Sequence, residues 1–213
     1  MKVFQSLKKI LPWLIPAQMG LNHFTHLTSK ILTDMMGSGQ AEGGLWIIVA
    51  LTTLVSIFFP LLLQYWAILI LAEYKFGRPV YREPKYFIIE NLRAFGRIIL
   101  WSLALILPGI IQFFWLLMTP IVVLVSPSYQ DGQQDALKVS REVVQANWGK
   151  CLAWVAAFTV VLPLLSSAVF DGKHSLYENP GWAFGAGLVD SLILVWGIER
   201  LLNIYINDRG EGA

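Results

Sequence analysis

Charged residues are scarce in this 213-residue chain, since 14% of its residues are charged and 56% are hydrophobic. A soluble domain of ordinary composition carries about 25% charged residues. The composition therefore excludes an ordinary soluble fold and predicts an integral membrane protein. The single cysteine, Cys151, excludes an internal disulfide. A formal net charge of +2 is too small to indicate a nucleic-acid binder.

The N-terminus lacks the features of a secretory signal peptide. Within residues 1–20, Lys8 and Lys9 precede a short apolar stretch that Pro12 and Pro16 interrupt, and no small-x-small cleavage site follows. We expect an uncleaved, partly apolar helix that lies in the membrane interface.

Motifs for catalysis and for cofactor binding are also missing. His23 and His26 have the i, i+3 spacing with which a helix can direct two ligands at one metal, and Asp34 or Glu42 could join them. This spacing alone is weak, and a solvated loop ahead of the first span is the preferred interpretation. No nucleophile with a positioned base and no phosphate-binding glycine loop is recognisable. We expect no enzyme activity, no metal and no cofactor.

Long apolar stretches are abundant. The first, residues 44–72, reaches about 43 Å at a rise of about 1.5 Å per residue. Because a bilayer's hydrocarbon core is about 30 Å thick, this helix should tilt or kink. Residues 151–170 and 181–206 form two further spans, and a fourth apolar stretch covers residues 98–126. The sequence predicts one all-α, polytopic membrane domain over residues 1–213, a helical bundle with amphipathic interfacial helices.

Basic residues concentrate in two amphipathic segments. Residues 73–97 carry six of the sixteen basic residues, which places this segment in the cytoplasm by the positive-inside rule. Residues 128–150 repeat the amphipathic pattern with three basic and three acidic residues. We expect both to lie on the inner leaflet, where basic side chains meet anionic lipid head groups. The residues expected to make these contacts are Lys85, Arg93, Arg97, Lys138 and Arg141.

The apolar stretch at 98–126 lies between these two basic segments. If both are cytoplasmic, the stretch must enter the membrane and return on the same side, as a helical hairpin hinged at Pro108 and Gly109. A single 29-residue helix is the alternative, and it would place the second basic segment outside. The charge bias favours the hairpin, whose short arms would not reach the far leaflet.

Asp190 is the most informative polar residue within a span, because an unpaired carboxylate at that depth costs about 2.5 to 3.5 kcal/mol on insertion scales. It is either hydrogen-bonded to a neighbouring helix, for example to Gln64, Gln112 or Ser102, or in contact with a proton, a substrate or a partner chain. Small residues nearby predict close helix packing. These form a GxxxG pair at Gly181 and Gly185 and a second pair at Ala183 and Gly187.

A PGI turn at residues 108–110 is followed by the helix DALKVSREVVQANW at residues 135–148. Through these two elements, residues 45 to about 165 resemble the YciC-like family of bacterial inner-membrane proteins. That family is similar to the membrane domain attached to some glycerophosphodiester phosphodiesterases. Within the helix Ser140 matches the family's usual serine, whereas two neighbours depart from its usual basic and aromatic residues: Val139 and Arg141. The resemblance implies a protein of the bacterial inner membrane without an established reaction.

The informative polar residues lie mostly at the inner interface, which favours a non-enzymatic accessory or scaffold subunit with a cytoplasmic C-terminus. The expected partners are membrane lipids and either another membrane protein or further copies of the chain, in envelope lipid homeostasis or transport. The alternative is a small transporter or channel in which Asp190 lines the path.

Overall fold

The computed structural model describes residues 2–38, 44–77, 80, 83–170 and 179–210, and these residues fold into helices without a strand. The helices are α1 Lys2–Ser38, α2 Gly44–Phe76, α3 Pro84–Ala104, α4 Ile106–Trp115, α5 Thr119–Val125, α6 Pro127–Gln130, α7 Ala136–Ala146, α8 Trp148–Val155, α9 Leu162–Phe170 and α10 Pro180–Arg209. A π-helical stretch, Ala156–Val161, joins α8 to α9. It ends two residues before Pro163, and a local π-turn is one way in which membrane helices accommodate proline.

Four segments within the described residues are long and apolar enough to cross a membrane: Trp46–Phe76, Ile106–Val125, Trp148–Phe170 and Pro180–Arg209. Three of them match the predicted stretches with ends shifted by a few residues, whereas Ile106–Val125 covers only the second arm of the stretch predicted at residues 98–126. The all-α, multi-pass membrane architecture is thereby confirmed.

The buried core lies at one end of the bundle. Helix α5 is its centre, and Ile121–Val125 are at most 6% exposed. Around α5 pack the C-terminal parts of α2 and α10 and one face of α7, with Ile10 and Leu14 of α1. Charged side chains surround this core, as in the Lys75–Glu199 pair at 3.4 Å and the Arg209–Glu142 pair at 3.1 Å. The opposite half of α2 and most of α8 and α9 expose apolar side chains, as lipid contact requires.

The chain reverses between α3 and α4, so that these helices form a hairpin. The reversal is at Leu105, whose extended backbone (φ −159°, ψ 139°) ends α3 and begins α4. The predicted hinge at Pro108 and Gly109 is therefore three residues too late. In an unbroken helix the Pro108 ring would clash with the carbonyl group of Ala104, whereas in the first turn of α4 its missing N–H is not needed.

Gly109 is a point where the two hairpin arms approach closely. A Cβ atom there would lie 2.0 Å from Ser102 Oγ and 2.8 Å from Ser102 Cα. Further along, Leu116 packs with Ala94 of α3 and Leu137 of α7. The arms are complete helices of 21 and 10 residues, with α5 continuing the second.

The N-terminal helix differs from the prediction. The helix expected along the interface over residues 1–20 continues to Ser38 with Pro12 and Pro16 inside it, and it packs against α2 and α10. His23 and His26, expected in a solvated loop, lie within this helix. One polar side chain of this helix, Asn22, contacts a span directly.

Candidate functional site

The two predicted basic segments contact each other directly. The Arg93 guanidinium of α3 lies 2.7 Å from the Asp135 carboxylate and 3.3 Å from Glu90. Asp135 also caps α7, because its side chain accepts a hydrogen bond from the Leu137 N–H at 2.8 Å. Partial burial raises the pKa of Asp135. The hydrogen bond from the Leu137 N–H and the positive charge of Arg93 lower it by more, so the pKa lies below its usual value.

Beside this pair, three cationic side chains line one cavity of about 370 Å³ between α3, α4 and α7. Arg97, Lys138 and Arg141 form no ion pair with a carboxylate in the described part of the chain. Arg141 lies over the Trp115 ring, 4.1 Å from its centroid, which is a cation–π contact. Gln112 adds an amide to the lining. Asp135, which is paired with Arg93, lines the same cavity, as do Leu116 and Leu137. We call the cavity lined by these residues the basic cleft.

The structure thus separates the five residues expected to contact head groups. Three of them converge on the basic cleft. Arg93 lies next to it but is neutralised by Asp135 and Glu90. Lys85 is outside it and pairs with Glu83, which raises the pKa of Lys85. The cleft therefore retains an excess of positive charge that sequence patterning alone did not localise.

The position of the basic cleft along the hairpin indicates its depth. Arg97 precedes the turn at Leu105 by eight residues, which is about 12 Å along a helix. Beyond it the hairpin tip is apolar and outward-facing, with Leu103 79% and Ile106 77% exposed. One leaflet contributes about 15 Å of hydrocarbon. A tip buried in one leaflet would therefore hold the cleft at head-group level.

Ser140 fixes the wall of the basic cleft. It is fully buried, accepts a hydrogen bond from the Met118 N–H at 3.1 Å and donates one to the Trp115 carbonyl at 2.9 Å. These backbone groups belong to the break between α4 and α5, where helical hydrogen bonds are interrupted. The family resemblance singled out Ser140 but implied no role for it. Its position on the apolar face of α7 is the signal in the sequence that could have indicated a buried hydrogen bond.

Asp190 is satisfied by partners that sequence reasoning missed. It accepts hydrogen bonds from Asn22 Nδ2 of α1 at 2.8 Å and from Ser166 Oγ of α9 at 2.9 Å. The suggested partners Gln64, Gln112 and Ser102 were wrong, because Gln112 lies in the basic cleft and Ser102 faces Gly109. Asp190, Gln64 and Gln112 are not brought together at one site.

Small residues of α10 do pack closely, but of the predicted GxxxG pair Gly185 has a close neighbour and Gly181 has none among the described residues. A Cβ at Gly181 would meet nothing within 4 Å, whereas one at Gly185 would lie 3.2 Å from the Phe170 ring. The closest approach is at Gly187, where a Cβ would lie 2.5 Å from Met19 Cγ and 3.3 Å from the Ile15 carbonyl oxygen. The Ala183 and Gly187 pair therefore faces α1, and Gly181 has no packing role in the described residues.

No cluster of three or more His, Cys, Asp or Glu side chains that could hold a metal occurs within the described residues. Comparison of the chain with protein-family models, with curated proteins and with solved structures finds no match. The likeness to the YciC-like family therefore remains a prediction, and the site is interpreted from its own geometry.

Proposed function

We propose that this protein is a non-enzymatic accessory or scaffold subunit of the bacterial inner membrane that binds anionic lipid head groups in the basic cleft. The observation that carries the proposal is the convergence of Arg97, Lys138 and Arg141, none of which has an ion-pair partner among the described carboxylates. Guanidinium and ammonium groups are the usual ligands of phosphate, and a guanidinium can bind it through two hydrogen bonds. Each cation near an anionic membrane surface contributes about 1 kcal/mol to the attraction.

The positive-inside rule places this charged end, with the C-terminus of α10, in the cytoplasm. The YciC-like resemblance supports a role in envelope lipid homeostasis or transport through a partner membrane protein or further copies of the chain. Lipid binding without a chemical reaction fits the cleft, because its polar groups are three cations, one amide and the Asp135 carboxylate that Arg93 pairs, and the described lining includes no nucleophile paired with a base.

The test measures which lipids remain with the protein purified in a mild detergent from mixed zwitterionic and anionic lipids. Native mass spectrometry should show retention of anionic phospholipid by the natural chain. The Arg97→Gln, Arg141→Gln double variant should lose this preference, by roughly tenfold or more if each cation contributes about 1 kcal/mol.

Lys85→Gln is the matched control for the single variant Arg97→Gln, because each removes one positive charge from the same end of the molecule and Lys85 lies outside the basic cleft. It should retain the anionic lipid as the natural chain does. Equal loss in both variants would mean that only overall charge matters and would reject a defined head-group site.

A further inference from the structure

A second cavity of about 500 Å³ borders the basic cleft, and Trp115 belongs to both. This apolar groove lies between α4 on one side and α7 and α8 on the other. Moving along α7, the lining changes from Lys138 and Arg141 in the cleft to Val144 and Gln145 in the groove. The remaining lining residues of the apolar groove are Ile110, Ile111, Phe113, Phe114, Trp148, Leu152 and Val155.

The apolar groove exists because α4 stands away from α8. Helix α4 packs mainly on α3 and α7, and no described residue fills the space between α4 and α8. At the charged end of the groove, Trp148 meets Phe114 edge to face with ring centroids 5.9 Å apart. From there the groove follows α8 to Val155, which is about 10 Å along the helix. Its volume lies within the range of about 300–1,000 Å³ that is usual for small-molecule sites.

We propose that the basic cleft and the apolar groove together hold one anionic phospholipid, with the phosphate in the cleft and an acyl chain in the groove. This inference rests on the proposed function, which concerns the head group alone. The arrangement of polar and apolar lining favours a phospholipid as the occupant. The cationic side chains lie at the charged end, and the apolar lining continues from them toward the hydrocarbon. Trp115, held by Arg141, separates the two parts at a depth where tryptophan is commonly found.

The experiment uses the full chain in phosphatidylcholine nanodiscs with two photoactivatable probes that share one acyl chain. One probe is phosphatidylglycerol and the other phosphatidylcholine, each with a diazirine in the chain. After irradiation, mass spectrometry maps the crosslinked peptides. If one phospholipid occupies both parts, the anionic probe should label peptides 110–115 and 144–155 several times more strongly than the choline probe.

The blocking variant is Leu152→Trp, which places a large side chain in the apolar groove where Leu152 is 46% exposed. If the tryptophan displaces two methylene groups of the acyl chain from the groove, and each buried methylene contributes a factor of about four to binding, labelling of the groove should weaken by roughly tenfold. Leu165→Trp is the control on the same membrane segment, because Leu165 is 57% exposed but lies outside the groove. Protection of the buried Cys151 thiol verifies folding in both variants.

Labelling that is stronger for the anionic probe, lost in Leu152→Trp and kept in Leu165→Trp supports the two-part site. Equal labelling of the groove by both probes, while the purified chain still retains anionic lipid, overturns the two-part site and leaves the head-group proposal intact. Equal labelling together with no anionic retention overturns both proposals.

Discussion

The contact of α1 with α10 and the hairpin of α3 with α4 are two helix pairs that are held together differently. The first joins residues far apart in sequence through Gly187 and through the hydrogen bond from Asn22 to Asp190. The second joins neighbouring helices, and its tip has little other protein contact. The hairpin is anchored at its base, where Ser140 and the Arg93–Asp135 pair attach it to α7.

The difference shows where protein packing ends and lipid contact begins. At α1 and α10, small residues and satisfied polar groups let two backbones approach, which is the usual way to hold membrane helices. At the hairpin tip, Leu103 and Ile106 face outward, and none of the described residues fills the apolar groove. We therefore interpret the first pair as structural and the second as the part that engages lipid.

The largest effect is expected from Ser140→Ala, which detaches the hairpin base from α7. The Met118 N–H and the Trp115 carbonyl would both lose a buried partner, at about 1–3 kcal/mol each. The free energy of unfolding should fall accordingly. Denaturation in detergent micelles, followed by thiol labelling of the buried Cys151, measures this change.

Ser191→Ala is the control, because Ser191 is as fully buried as Ser140 but donates only to the Gly187 carbonyl of its own helix, at 2.6 Å. That carbonyl keeps its helical hydrogen bond, so stability should change much less. Equal losses in the two variants would contradict the bridging role of Ser140.

The next effect in size concerns the first helix pair. Gly187→Ala places a Cβ 2.5 Å from Met19 Cγ and 3.3 Å from the Ile15 carbonyl oxygen, so α1 must move. Overpacking of this kind costs about 1–3 kcal/mol. Gly181→Ala, which meets open space, should leave the free energy of unfolding unchanged or slightly higher, since alanine favours helix. The same denaturation experiment compares the two, and a lower stability of Gly181→Ala would refute this packing account.

The sequence predicted the spans and the hairpin because both depend on composition and on local geometry. The length of the apolar stretches identified the four segments. The hairpin was predictable from Pro108 alone, because a proline cannot continue an unbroken helix, although the reversal itself is at Leu105. The sequence could not predict that Asn22 meets Asp190, since residues 168 positions apart are paired only by the tertiary fold. For the same reason it treated Lys85 and Arg97 alike, although only Arg97 reaches the basic cleft.

A smaller effect is expected from Asp190→Asn. An amide offers a single acceptor oxygen, which can keep the Asn22 hydrogen bond while the NH₂ group donates to Ser166 Oγ, so both hydrogen bonds lose their charged acceptor. We expect a loss of about 1–2 kcal/mol in the free energy of unfolding. Combining it with Asn22→Ala should give less than the sum of the two losses, because both remove one interaction.

The same variant also tests the transport alternative. If Asp190 has a structural role, ion flux into liposomes that contain the protein should not depend on it. Flux that is present with the natural chain and lost in Asp190→Asn would favour a path through this residue instead.

The smallest effect on stability is expected from Asp135→Asn at the hairpin base. Asparagine caps a helix about as well as aspartate, so the change removes mainly the half-exposed ion pair with Arg93, at about 1 kcal/mol or less. The pKa of Asp135 lies below its ordinary value of 3.8 in the folded chain. The ion pair therefore contributes fully above about pH 4, and this contribution is lost as the pH falls through the lowered pKa. The stability difference between the natural chain and Asp135→Asn should vanish at that acidic end, and a difference that persists there would rule out the ion pair as its cause.

The same substitution should change lipid binding in the opposite direction. Without the Asp135 carboxylate, Arg93 keeps only Glu90 as a partner and adds positive charge beside Arg97 and the rest of the basic cleft. Retention of anionic phospholipid should then rise, by up to about 1 kcal/mol for one additional cation near the head groups. A variant that is slightly less stable and yet binds anionic lipid more tightly would show that the Arg93–Asp135 ion pair stabilises the fold but reduces the positive charge available to the lipid. A parallel fall in both quantities would instead mean that the Arg93–Asp135 pair is needed to form the cleft.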